Sequence, residues 1–385
     1  MSLLLVSSFM ELGVYIHYPW CRDRCPYCDF AVAVAPPGAI PHRAYLGAIL
    51  DELALRAPEL PGRALRSIYV GGGTPSLWDP ECLAEAIAAV RAAFGGAAPR
   101  EVTIEANPTD CTPERVASWR AAGVDRVSIG MQSLEPGDLV ALGRDHRMGQ
   151  GLDALDAAEA SGARVTADLI LGVPGARDPI AGVRRLAARP GLGHMSIYEL
   201  TVEEGTPLAQ RVARGEVAME EEDRMADLLV ATHELMTAAG FEHYEVSSYA
   251  RPGARAVHNA LYWRGAEFLG LGCGAASFAR TPDGGGRRWT NHRSAGRYMA
   301  APAPERVGSG ETLTAAELAA DLVWLGLRTS DGVPGASLEG HPELAGWLTA
   351  GDDPLCRRDG DRIRPTLRGF LYSSSVMRRV LGSML

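Results

Sequence analysis

The sequence predicts an α/β fold: a partial (β/α)6 barrel followed by an α+β accessory region. Three observations predict it. From residue 13 to about 200, short apolar runs alternate with Ala-rich stretches of helical period. After residue 200 that rhythm stops. The chain has 385 residues, more than one compact domain usually holds, so a barrel with an appendage is expected.

The apolar runs fall at 14–18, 67–71, 101–106, 126–131, 165–171 and 194–200. Helical periodicity fills the gaps at 41–56, 79–94, 113–122, 149–161 and 179–188. Such alternation gives parallel strands joined by crossover helices, with chemistry at the C-terminal ends of the strands. Beyond residue 200, 219–239 reads as one long helix, followed by an extended segment at 244–249 and a Gly-rich stretch at 269–278. Pro, Gly and Ser make 301–311 a linker. A helix at 315–327, a strand at 360–364 and a closing helix at 368–381 suggest a small winged-helix-like unit. The expected division is an N-terminal extension over 1–12, a barrel over 13–240, a barrel-capping α+β segment over 241–300 and an accessory domain over 301–385.

The formal charge is −9, and all 38 basic side chains are Arg. An acidic chain lacks the basic footprint that nucleic acid needs, so the winged-helix-like unit reads as a lid or docking element. The first residues have a short apolar run without a basic start or a small-residue cleavage site. That argues against a signal peptide and leaves Met10 as an alternative start. No apolar run is long enough to span a bilayer, so membrane contact is peripheral if it occurs.

The most informative segment is Cys21-Arg22-Asp23-Arg24-Cys25-Pro26-Tyr27-Cys28, a C-x3-C-x2-C run just after the first strand. Three thiolates this close can hold three irons of a cubane [4Fe–4S] cluster, and no fourth cysteine is near enough for the last iron. A disulfide framework wants an even cysteine count, and there are 7. A zinc site wants a fourth Cys or His nearby, and none follows. Cys82, Cys111, Cys273 and Cys356 are scattered singly and read as buried small hydrophobes. An oxygen-labile cluster fits the reducing cytoplasm.

The run sits after Gly13-Val14-Tyr15-Ile16-His17 and ends in Cys28-Asp29-Phe30. It resembles the cluster loop of radical S-adenosylmethionine (SAM) proteins and, within them, the group related to oxygen-independent coproporphyrinogen III oxidase. The resemblance implies the TIM-like partial barrel of that family. It also implies that SAM chelates the open iron of the Cys21, Cys25 and Cys28 cluster. An electron from the reduced cluster then splits the sulfonium to give a 5′-deoxyadenosyl radical.

Gly71-Gly72-Gly73-Thr74-Pro75 follows the second strand. Glycines let backbone N–H groups approach a ligand closely, although a tight βα turn would need them too. Glu105, Gln132 and Asp168 stand at or near strand ends, where a polar group in an apolar run must be paired or face a ligand. By similarity, Gly72, Gly73, Thr74, Glu105, Gln132, Arg144 and Asp168 bind the ribose, amino or carboxylate groups of SAM. Tyr15 and Tyr27 match positions that line the same pocket.

His258-Asn259-Ala260-Leu261-Tyr262-Trp263 is the second informative run. Histidine is an axial ligand for haem iron and aromatics suit a porphyrin face, but a lone His is also a common structural residue. An H-N-x-x-Y-W run resembles the haem-chaperone branch of the family. By that resemblance His258, Asn259, Tyr262 and Trp263 are haem-site candidates. The oxidases carry a cysteine two places after the last cluster cysteine, where this chain has Phe30, and a longer segment before the cluster. Relatives often show Gly-Ala-His-Ser where this chain reads Gly274-Ala275-Ala276-Ser277. The implied function is a haem chaperone that passes haem to an apo haem-protein acceptor, with a flavodoxin- or ferredoxin-like electron donor. Oxidative decarboxylation of coproporphyrinogen III and radical methylation are alternatives on the same scaffold.

Overall fold

A computed structural model describes residues 10–385. The start at Met1 and most of the expected N-terminal extension fall on residues 1–9, outside the described residues. Six strands follow the expected order: β1 Glu11–Tyr18, β2 Ala64–Gly72, β3 Glu101–Ala106, β4 Arg126–Gln132, β5 Arg164–Leu171 and β6 His194–Glu199. Crossover helices α1 His42–Arg56, α2 Pro80–Ala93, α3 Pro113–Ala121, α4 Met148–Ala160 and α5 Ala181–Ala187 lie between them. Local chemistry sets their starts: Asp79 caps α2 by accepting from the N–H groups of Glu81 and Cys82, with Pro80 at the first position.

Adjacent strands from β1 to β6 pair parallel. Val14, Ile16, Ile68, Val70, Ile104, Val127 and Ile129 are buried in one hydrophobic core. Each contributes about 1.5–3 kcal/mol. The alternate residues face a lumen and are polar: Tyr69, Thr103, Glu105, Arg126, Ser128, Thr166, Asp168, His194 and Ser196 all line one cavity. Barrels of this class usually fill that space with branched apolar side chains.

After a long helix, α6 Glu222–Ala238, the sheet continues with β7 Glu242–Glu245, β8 Ser248–Ala250, β9 Glu267–Leu271, β10 Ala276–Arg280, β11 Gly286–Asn291 and β12 Val307–Leu313. The order across it is β12-β11-β10-β9-β1-β2-β3-β4-β5-β6-β8-β7. Strand β9 pairs parallel to β1, a seventh parallel strand where the sequence suggested only a Gly-rich stretch. Its Gly270 is required by packing, since a Cβ there would overlap the Ala276 carbonyl. The expected boundary at 240/241 coincides with no break in this sheet. The expected linker at 301–311 is corrected in its second half: residues 307–311 belong to edge strand β12, whose residues pair with β11. Its Ser309, Gly310, Glu311 and Thr312 are exposed, so the hydrophobic alternation of a strand is missing from the sequence.

Helix α7 Val257–Trp263 runs between β8 and β9, beneath the barrel. The remaining chain has its own small core around Val323, Leu344, Leu348, Ile363 and Val376. It contains α8 Ala315–Gly326, a three-stranded antiparallel sheet (Val333–Pro334, Arg362–Pro365, Cys356–Asp359) and the helices Pro342–Thr349, Leu367–Leu371 and Ser373–Met384. No helix among the described residues is long and apolar enough to cross a membrane.

Candidate cofactor site

A cavity of about 710 Å3 opens at the C-terminal ends of the strands and reaches down the lumen to Arg126 and His194. Cys21, Cys25 and Cys28 line its upper wall, each half-buried. Cys21 ends a two-residue strand paired with Ala33–Val34, which folds the loop back over the barrel. The Cys28 amide donates to the Cys25 carbonyl at 3.2 Å, and Arg24 closes the turn by donating to the Cys28 carbonyl. Burial pushes the Cys21 thiol up to about 11, against a hydrogen bond with Thr74, and raises the Cys28 thiol. Both bind as thiolates only by releasing a proton. Among the described residues no three Cys, His, Asp or Glu side chains close on a single metal ion. A cubane does not ask for that, because each thiolate meets a different iron.

The glycine turn lies against this loop. The Gly73 amide donates to the Tyr18 carbonyl at 2.7 Å and the Thr74 amide to the Trp20 carbonyl at 2.9 Å. A Cβ on Gly73 would stand 2.8 Å from the Pro19 backbone and 3.0 Å from Cys21 Sγ. Gly72 has φ 116° and a Cβ there would meet the His17 ring at 2.6 Å, so both positions require glycine. The turn thus brings backbone N–H groups beside the cysteines.

Gly72, Gly73, Thr74, Tyr27, Glu105, Gln132, Arg144 and Asp168 all line the cavity with the cysteines. Gln132 is the one non-glycine residue with positive φ (60°) among the described residues, at a register shift between β4 and β5. Such strain collects at ligand sites. Arg144 donates to the Gly130 carbonyl at 3.2 Å and lies 3.6 Å from Cys25 Sγ, while its Nε is buried without a partner. Glu105 accepts from Tyr69 Oη at 2.7 Å and from the Gly72 amide at 3.0 Å. Burial outweighs these bonds and pushes the Glu105 carboxyl up to about 7. Asp168 accepts from Ser128 Oγ at 2.8 Å, and burial likewise lifts it to about 6. The donor set and the unpartnered Arg144 Nε fit a cluster with a zwitterionic, ribose-bearing ligand.

Other candidates stand off this lining. Tyr15 is not among the lining residues; it stands opposite Tyr69 in register and stacks on its ring, and its Oη lies 3.0 Å from His17 Nδ1. His17 Nε2 in turn donates to the Ala31 carbonyl, which ties the cysteine loop to β1. His258 offers no nitrogen to haem iron. It is 1% exposed, Nδ1 pairs with Ser67 Oγ and Nε2 with Tyr262 Oη, both at 2.8 Å, and its ring stacks on Tyr69. Tyr262 packs edge-on against Phe268, and Trp263 lies under the Arg328 guanidinium. The run plugs the floor of the barrel because α7 must cross beneath it; only Asn259 of the four candidates lines the cavity. Sequence reasoning missed Thr103, Ser128, Thr166 and His194 as lining residues. Counting back by two from Glu105, Gly130 and Asp168 along their strands finds the first three.

Comparison with known proteins agrees with this geometry. Residues 15–182 match the Radical SAM superfamily. The chain is 40% identical to "Heme chaperone HemW" of Mycobacterium tuberculosis, over 96% of this chain and 95% of that protein. It is 37% identical to the HemW of Escherichia coli, over 75% of each chain. Among solved structures, coproporphyrinogen III oxidase (HemN) of Escherichia coli matches with a TM-score of 0.78 at 21% identity, over 98% of this chain and 92% of that one, a likeness of fold. By 40% identity that runs nearly end to end with the Mycobacterium tuberculosis protein, the chain belongs to the radical SAM superfamily and, within it, to the HemW family.

Proposed function

We propose that the chain is a haem chaperone of the radical SAM type. It carries a [4Fe–4S] cluster on Cys21, Cys25 and Cys28, binds SAM at the open iron, and takes up haem for delivery to an apo haem protein. The observation that carries the reading is identity of 40% over 96% of the chain with a relative named a haem chaperone. The cavity supports the cofactor half. Arg144 would pair a carboxylate, a reading supported by its buried Nε, which lacks a partner. Glu105, Gln132 and Asp168 line the same cavity and would meet amino and hydroxyl groups, and the glycine turn would keep side-chain bulk away from the ligand. When bound, the cluster supplies one electron to the sulfonium. A ferredoxin- or flavodoxin-like donor and a cytoplasmic location complete the reading. The haem ligand lies outside the floor, because the His258 nitrogens are both engaged.

Anaerobic reconstitution followed by haem titration tests it. The expected result is about four irons and four sulfides per chain, and a saturable Soret band that His258→Ala leaves in place. A shifted band in His258→Ala returns that residue to the haem site. A protein that binds no haem yet converts coproporphyrinogen III to protoporphyrinogen IX overturns the chaperone reading.

A further inference from the structure

We infer that Asp110 is a positioning residue for the cysteine loop, acting through Arg22 and Ser76; the inference rests on the cluster reading above. Asp110 ends a single 3-10 turn, Pro108–Asp110, just past β3, and is 7% exposed. One carboxylate oxygen accepts from Nη2 of Arg22, the residue after Cys21. The other accepts from Ser76 Oγ at 2.7 Å, two residues beyond Thr74 of the glycine turn. Ser76 Oγ in turn accepts from the Asn107 amide at 3.1 Å, and Arg22 Nη1 reaches Thr109 Oγ1 at 3.5 Å.

One buried carboxylate therefore fastens three segments: the cysteine loop, the glycine turn and the end of β3. They converge on Cys21 Sγ, against which Gly73 is packed. Asp23 and Arg24, the next residues of the loop, are exposed, so Arg22 is the inward anchor between the first two cysteines. A loop that presents three thiolates to one cluster must be ordered before binding, or its ordering entropy is subtracted from affinity. Hydrogen bonds between charged partners are the strong way to order it.

The test uses the full chain. Asp110→Asn and Arg22→Ala are reconstituted anaerobically beside the parent, after the melting temperature of each apo-protein is recorded. Arg22→Ala should fold but melt below the parent, since it leaves the buried Asp110 carboxylate with Ser76 Oγ alone. Both variants should hold less iron per chain. They should bind SAM about ten-fold more weakly, the scale of one lost charged hydrogen bond. The EPR signal of the reduced cluster should also respond differently to SAM. The double variant should lose no more than either single one, because both act through one contact. Parent-like iron, affinity and spectrum in Arg22→Ala, or losses that add in the double variant, overturn the inference. If Asp110→Asn does not fold, Arg22→Ala carries the test alone. A parent that takes up no cluster overturns the proposed function and this inference with it; variants that match a loaded parent overturn only the inference.

Discussion

Glu101 and Glu105 lie on one strand, four residues apart and on the same face, yet their surroundings drive them in opposite directions. At the floor, Glu101 is 0% exposed and accepts from Arg126 Nε at 2.8 Å, Arg164 Nη1 at 3.3 Å and the amides of Val257 and His258 at 3.1 and 3.0 Å. Burial alone would raise its carboxyl; Arg126, the two amides and Arg164 outweigh burial and lower it. At the mouth, Glu105 has only Tyr69 and Gly72, and burial wins. The same pleat supplies a closed end, where polar groups satisfy one another, and an open end, where they face a cavity with fewer partners. Carboxylate identity does not separate scaffold from site; the count of partners does.

The sharpest way to break this contrast is at the cysteines. Replacing Cys21, Cys25 or Cys28 by Ala should remove all iron while the apo-protein still folds, because these side chains are half-exposed and support no core. Replacing buried Cys82, Cys111, Cys273 or Cys356 should leave the iron-to-chain ratio unchanged. Iron analysis of refolded, reconstituted variants decides, and retained cluster in Cys25→Ala would sink the assignment.

Next in size is the floor. Glu101→Ala leaves the Arg126 guanidinium, itself 2% exposed, without its carboxylate. A buried charge so stranded should cost about 3–5 kcal/mol in denaturant unfolding, with iron per folded chain unchanged. A loss below about 1 kcal/mol, the level of an exposed pair, would show that the floor is not a closed unit.

The smallest effect is on pH dependence. A carboxyl raised from its ordinary 4.5 to about 7 makes the folded apo-protein bind more protons than the unfolded chain between those values. Its contribution to stability therefore falls as pH rises through that window. Asp168, raised to about 6, acts in the same sense. Glu105→Gln should flatten the decline and stabilise the apo-protein by roughly 1–3 kcal/mol at pH 8 relative to pH 4.5. Parallel stability profiles for parent and variant would show that Glu105 is more hydrated than its surroundings suggest.

Much of this was legible beforehand. The six strands and five crossover helices follow from apolar runs and helical period, within one or two residues at most ends. The cysteine loop and the Gly72–Thr74 turn follow from spacing, because so few other arrangements use those residues. What escaped was non-local. Strand β9 carries a glycine demanded by a neighbouring carbonyl, and β12 takes its pairing from a partner strand rather than from its own side chains. The H-N-x-x-Y-W run makes His258 only a candidate, because a motif records that a residue type matters, not whether its nitrogens are already engaged. Arg22 and Asp110 are 88 residues apart, and no local pattern joins them.

The sheet never closes on itself. Strands are added at one margin as β8 and β7, and then at the other beginning with β9. The chain must travel from margin to margin, and α7 is that traverse, pinned to Glu101 at its start and touching Ser67 of β2 on the way. This short helix fastens the returning chain to β3 and β2 from below. A run of buried residues at the floor thereby joins two stretches of sheet that share no direct pairing, β8 beside β6 and β7, and β9 beside β1 and β10.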